Sequence, residues 1–326
     1  MLATVVVLTK NAEAYLGETL PAIFNQVTDF EFEVLVIDSG SKDRTLEILA
    51  AYPLKVMCIP SETFNHGETR NLAVREANPQ SDTIVLLSQD AMPYNSSWLQ
   101  NLILPFREDA QVAGVFSRHV PREDASASVV RQLATGIQCG GEQRLEKRMP
   151  EKMEEFQKKR FWYNFFSNTS SAINREVWRD FPFEKVDFAE DALWADTVIR
   201  NGYTIVFEPQ SIVTHSHSYS IREQFRQNVD HAHAMQQLFQ PEEYKRNSYW
   251  IRRIAGIPLL AIKDIRYIFA SPFFARRSVG NKLSMILISL PWETATTLGA
   301  WVGAKLQVMP PRLQKLLSRQ ARIKSL

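Results

Sequence analysis

Two hydrophobic rhythms divide the chain. Short, continuous apolar runs recur at Leu2–Leu8, Phe32–Ile37, Leu54–Ile59, Ile84–Ser88, Val112–Arg118 and Thr204–Glu208. Runs of this length, apolar on both sides, suit strands inside a sheet covered on both faces. Between them, apolar residues repeat at helical spacing. Tyr15, Leu16, Leu20, Ile23, Phe24 and Val27 mark a helix over 12–27, and further helices are expected at 45–52, 72–77, 98–106 and 175–181. A strand over 168–173 and a helix opening at Phe188 and ending near Gly202 complete the pattern. Strands alternating with helices predict an α/β fold with a mostly parallel sheet flanked by helices. Residues 121–155 are polar and irregular and read as an insertion. From Ile221 the pattern is helical, so the expected domains are 1–220 and a helical C-terminal region, 221–326.

Composition allows a large core: 45% of the 326 residues are hydrophobic and 23% charged. Two cysteines, Cys58 and Cys139, are too few for a disulfide framework and lack metal spacing, which favours a reducing compartment. No charged n-region or cleavage site follows Met1, so no signal peptide is expected. The net charge of +2 hides an asymmetry. From Lys245 onward there are 15 Lys/Arg against 2 acids, while the first 244 residues carry a net −11. A basic, apolar tail on an acidic body points to an anionic membrane surface, and to a peripheral position on its cytoplasmic face. The 283–304 stretch is long enough for a span but poorly apolar, with one charge, Glu293, and Pro291. Flanking Arg276, Arg277, Lys282 and Lys305, with Trp292 and Trp301, make it read as an in-plane element. No motif would place the tail in a nucleic-acid groove, so no nucleic-acid partner is expected.

The candidate chemistry lies where strands end. In open α/β sheets ligands bind beyond the carboxyl ends of the strands. Thr9 and Asn11, Asp38, and Asp90 follow the first, second and fourth strands. A lone Asp90 there is placed to hold a divalent cation through oxygen ligands. No G-x-G-x-x-G follows the first strand and no G-x-x-x-x-G-K-[ST] occurs, which disfavours a dinucleotide-binding unit and a P-loop.

Thr9-x-Asn11, the Asp38-Ser-Gly-Ser-x-Asp-x-Thr45 turn, Arg70-Asn71, Ser88-Gln-Asp90 and Glu190-Asp191 occur in an order that resembles the family 2 glycosyltransferases with a GT-A fold. Phe64-Asn-His-Gly-x-Thr-Arg-Asn71 and His215-Ser-His-Ser-Tyr-Ser220 resemble the bacterial rhamnosyltransferase branch. The resemblance covers about residues 3 to 235. It implies inverting transfer of a sugar, L-rhamnose, from a dTDP- or UDP-linked donor onto a lipid-linked or cell-surface glycan, and the membrane-seeking tail favours the lipid-linked one. One departure stands out: the usual Asp-x-Asp is Ser88-Gln89-Asp90, so a cation needs another protein ligand.

By this resemblance Thr9, Asn11, Asp38 and Ser39 line the base and ribose. Asn65 and His66 shape the donor-sugar pocket, Arg70 faces the diphosphate, and Gln89 is a further donor-binding residue. The metal, Mg2+ or Mn2+, falls to Asp90 with a histidine, His217 by family position, although His215 lies on the same side of the segment. A histidine ligand favours Mn2+. Asp191 is the implied general base, with Glu190 and Trp194 on the acceptor side. Trp162, Tyr163, Phe165 and Phe166 are candidates for stacking on a sugar, or for core. Two other readings stay open: a sugar-nucleotide pyrophosphorylase, and a non-catalytic glycan-assembly subunit.

Overall fold

The computed structural model describes residues 2–136, 141–186 and 188–318. Cys139 and the last eight residues of the expected helical C-terminal region, 319–326, lie outside them; Cys58 is exposed and free. The described strands are β1 (Leu2–Thr9), β2 (Glu31–Asp38), β3 (Lys55–Cys58), β4 (Ser81–Ser88), β5 (Met92–Pro93), β6 (Val112–Val120), β7 (Leu145–Lys147), β8 (Ser170–Asn174) and β9 (Thr204–Thr214). The helices are α1 (Glu13–Phe24), α2 (Thr45–Leu49), α3 (His66–Glu76), α4 (Trp98–Glu108), α5 (Ala127–Thr135), α6 (Met153–Lys158), α7 (Arg160–Tyr163), α8 (Arg175–Asp180) and α9 (Glu190–Arg200). They continue with α10 (Ile221–Phe239), α11 (Asn247–Ala255), α12 (Ile257–Ala270), α13 (Val279–Ala304) and α14 (Pro311–Leu317).

The chain forms two compact units, 1–121 with 133–215, and 122–132 with 216–326. In the first, the sheet order is β3-β2-β1-β4-β8-β6-β9-β5, with β7 added on β9. The sheet is mixed, which corrects the expectation of a mostly parallel one. β1, β2, β3 and β4 pair in parallel, but β8 runs antiparallel to both β4 and β6. Apolar runs reveal burial and not direction, so the reversal at β8 was invisible in the pattern. Alternate residues face opposite sides. Val6, Leu35, Ile37, Ile84 and Leu86 meet Ala73, Val74, Val177 and Val198, and Val5, Val7, Val34, Val36 and Val85 meet Leu16, Leu20, Leu99 and Ile103.

α3 begins six residues earlier than its apolar spacing predicts, because Asn65 caps it by accepting from Glu68 N. Its first turn presses on the 184–186 loop: Asn65 Nδ2 donates to Val186 O at 3.0 Å. A Cβ on Gly67 would sit 2.2 Å from Glu184 O. Gly67→Ala is therefore expected to destabilise the protein by about 1–3 kcal/mol, read as a lowered urea midpoint. An unchanged midpoint would show that this loop moves freely.

The second unit is helical. α10 and α13 pack side by side; a Cβ on Gly299 or Gly303 would strike Phe225 O or Val229 O. Glu293, the single acid of the apolar 283–304 stretch, is buried against Ser128 and Arg131, which also hold Asp264. Burial raises the Glu293 pKa. Among the described residues, no helix is long and apolar enough to cross a membrane.

Candidate active site

Parallel pairing sets three strand ends in one row. Thr9 lies opposite Asp38 in register, and Leu8 opposite Ser88. Beyond them opens a cavity of about 240 Å³. Thr9, Lys10 and Ser39 line one side, Phe64, His66 and Arg70 another, and Gln89, Asp90 and Asn168 a third. The Gln89 amide clasps the end of β1, accepting from Lys10 N at 2.8 Å and donating to Lys10 O.

Asp38 is fully engaged. Its carboxylate accepts from Gly40 N, Ser41 N, Ser41 Oγ and Thr9 Oγ1, at 2.5–3.0 Å. These four bonds use its acceptor capacity, so a nucleobase imino group could reach it only by displacing one. Ser39 Oγ donates back to Thr9 O. Asn11 has φ +49° and is exposed; its Oδ1 accepts from Lys42 N, so it braces the turn and does not line the cavity. Asn65 likewise acts through its cap and the Val186 bond and lies outside the lining.

Opposite this turn lies a buried charge cluster. Arg70 pairs with Glu190 by a short hydrogen bond, both nearly excluded from solvent. Asn168 Nδ2 also donates to Glu190, and Asn168 N to Asp191 Oδ2 at 3.3 Å. Burial opposes ionisation of Glu190, but Arg70 holds its pKa below the usual range. His66 is kept neutral by burial and by Arg70. Asp191 behaves the opposite way: burial and then the Glu190 charge push its pKa up to about 7. Two neighbouring carboxylates thus differ in protonation at neutral pH, one a fixed anion and one poised to take a proton. Ala189, directly before them, has φ +63°, a strained conformation for a residue with a Cβ.

On the third side His215 Nε2 lies 3.6 Å from Asp90 Oδ2. His119, on β6 and opposite Val213 of β9, packs edge-on to His215 at 5.5 Å between centroids. Its Nε2 is buried with no hydrogen-bond partner among the described residues, and burial drives its pKa down to about 3. Carboxylate oxygen and imidazole nitrogen beside an orphaned buried nitrogen form a donor set that fits a divalent cation.

A model of glycosyl transferase family 2 matches residues 4–181, more than half of the chain. The chain belongs to glycosyl transferase family 2. The O-antigen chain rhamnosyltransferase RfbN of Salmonella typhimurium is 32% identical over 234 residues, 71% of each chain. The O-antigen chain rhamnosyltransferase WbaN of Salmonella anatum is 31% identical over 230 residues, 70% of each. Two solved structures show the fold. The mannosyltransferase PcManGT from Pyrobaculum calidifontis, in complex with GDP-Man and Mn2+, has a TM-score of 0.59 at 19% identity, covering 94% of this chain and 86% of that one. TarS 1–349 of S. aureus in complex with UDP has a TM-score of 0.52 at 16% identity, covering 94% and 91%. The protein is therefore an inverting glycosyltransferase on a GT-A-like mixed α/β scaffold.

Within this family 2 enzyme the predicted residues divide. The cavity gathers Thr9, Ser39, His66, Arg70, Gln89 and Asp90, and Asp191 borders it through Asn168. His217 is exposed and follows at the start of the second unit, its ring stacked on Tyr219. Glu190 serves as the counterion of Arg70 instead of meeting an acceptor. Trp194 is core: 2% exposed, its indole N–H donates to Phe181 O and it packs on Phe166 and Phe183. Trp162 and Phe165 surround the buried Lys147 ammonium, and Tyr163 and Phe166 are buried, so these rings serve packing. Lys10, Phe64, His119 and Asn168 were not identified from sequence. Asn168 carries no motif, and His119 is a lone histidine in an apolar strand.

Proposed function

We propose that the enzyme transfers L-rhamnose from a dTDP- or UDP-linked donor to a lipid-linked glycan at the cytoplasmic face of the inner membrane. The observation that carries this reading is the split pair: Glu190 anionic against Arg70, and Asp191 with a pKa of about 7, both bonded to Asn168, which lines the cavity that holds Asp90. The relatives named as O-antigen rhamnosyltransferases support the sugar and the acceptor class. The nucleotide sits over the Thr9–Ser39 turn, with Arg70 toward the diphosphate. Asp191 then accepts the acceptor hydroxyl's proton as that oxygen bonds to the anomeric carbon and the nucleoside diphosphate leaves. The inverted configuration follows from attack on the face opposite the leaving group.

Asp90, His215 and His217 each offer a donor atom to a divalent cation, with Mn2+ favoured by the imidazoles. Such an ion neutralises charge on the departing diphosphate. EDTA is expected to stop turnover. Asp90→Ala is expected to raise the Mn2+ concentration for half-maximal activity by about 10–100-fold, and unchanged metal dependence would remove Asp90 from the site.

The second unit exposes Ile251, Leu259, Phe269 and Val279 among the basic residues of its sequence, which supports peripheral attachment to anionic lipid. A screen of nucleotide sugars for Mn2+-dependent release of nucleoside diphosphate tests the donor. Release from dTDP-rhamnose above other donors supports the reading, and no release from it contradicts it.

A further inference from the structure

We propose that the groove between α10 and α13 binds the hydrocarbon chain of the phosphate-linked lipid that carries the acceptor. The proposal rests on the lipid-linked acceptor of the preceding section and adds the place where the lipid is held.

The groove has a volume of about 680 Å³ and lies wholly in the second unit. Ile221 and Phe225 form one wall, and Leu290, Pro291, Ala295 and Leu298 the other. It arises from the way the helices meet. Gly299 and Gly303 touch Phe225 O and Val229 O, so α13 runs parallel to α10, and its earlier turns extend past the α10 N-terminus without cover from it. The apolar surface continues there along one face: Leu283, Leu287 and Leu290 are 54%, 76% and 49% exposed. From Leu283 to Leu298 the helix rises about 22 Å. Leaving such a strip in water forfeits about 25 cal/mol for each Å², an arrangement expected of a binding surface.

The polar groups identify the occupant. Thr294 Oγ1 is already bonded to Leu290 O. Arg222 makes no hydrogen bond or ion pair among the described residues. Glu223, beside it, is committed to the Ser220 capping box, and Arg226 one turn on reaches Leu316 O. A peptide would need backbone partners along the groove, and among the described side chains that line it Arg222 alone has an open donor. A chain of hydrocarbon needs none, and its phosphate finds a cation at the mouth.

The test uses the full-length protein and diazirine-tagged geranylgeranyl phosphate, with labelled peptides mapped by mass spectrometry. Label is expected on the segments around Phe225 and Leu290–Leu298, displaced by untagged geranylgeranyl phosphate and not by inorganic phosphate. Ala295→Trp, which fills the groove, and Leu290→Glu, on an exposed position that does not threaten folding, are each expected to cut labelling about tenfold. Arg222→Glu is expected to cut it about fivefold. Label elsewhere, label unaffected by Leu290→Glu, or labelling by a tagged phospholipid in vesicles that geranylgeranyl phosphate does not compete away would each overturn the proposal. The last result would mark the strip as a bilayer contact. Slow donor hydrolysis, which needs no acceptor, is expected to be unchanged in all three variants. Its absence from the wild-type protein would contradict the transferase reading, whatever the label does.

Discussion

Asp191→Asn is expected to lower the rate of sugar transfer by about 10³-fold while donor affinity stays within a factor of two. The amide keeps the shape of the carboxylate but accepts through one oxygen, so it keeps one of the two backbone donors, Asn168 N or Ala192 N, that meet the two carboxylate oxygens. It also loses the ability to take a proton. The wild-type pH profile should show the same group. Burial, then the Glu190 charge, raises the Asp191 pKa to about 7, with Arg70 and the backbone donors opposing. The base must be ionised, so transfer falls about tenfold per pH unit below that value. The sign for stability is opposite to that for rate. A carboxyl whose folded pKa lies above its unfolded value destabilises the fold at high pH, and the cost disappears as pH falls through the folded value toward the unfolded one. Asp191→Asn should therefore raise stability at pH 8 by about 2–4 kcal/mol, with little change at pH 4. Transfer near the wild-type rate would remove Asp191 from the mechanism.

Arg70→Met is expected to be the most destabilising single change in the cavity, by about 3–5 kcal/mol. Glu190 is 5% exposed and would be left as a buried anion supported only by Asn168 and a neutral His66. Glu190 would respond with a raised pKa, so the loss in stability should shrink as pH falls toward the usual carboxylate range, where the unfolded chain takes up the proton too. The two partners should also move the catalytic limb in opposite directions. Arg70 lowers the Asp191 pKa and Glu190 raises it. Glu190→Gln should shift the acid limb of the rate profile to lower pH, because its charge no longer opposes ionisation next door. Urea unfolding at pH 4.5 and pH 8, with the pH dependence of transfer, checks both. A Glu190→Gln limb that stays in place would show that the titrating group is not Asp191.

The strand pattern located the site because parallel strand ends gather whatever follows them. Thr9, Asp38 and Asp90 trail three apolar runs, and those runs are neighbours in the sheet. Hydropathy could not show what each side chain would face. Asp38 spends its oxygens on its own turn, and Trp194 turns inward against Gly114 and Phe166. Glu190 and Asp191 look alike in sequence. Only the arrival of Arg70, 120 residues earlier in the chain, makes one a permanent anion and leaves the other with the raised pKa. His119 and Asn168 were silent for the same reason: their chemistry comes from partners remote in sequence.

The most direct test is a structure of the protein with nucleoside diphosphate and Mn2+ bound. The account predicts the base over the Thr9–Ser39 turn, the diphosphate between Arg70 and Asp90, the ion on Asp90 and a histidine of the 215–217 segment, and Asp191 facing open space beside Asn168 where an acceptor hydroxyl can enter. A nucleotide bound elsewhere, or one whose diphosphate leaves Asp191 walled off from the cavity, would contradict it.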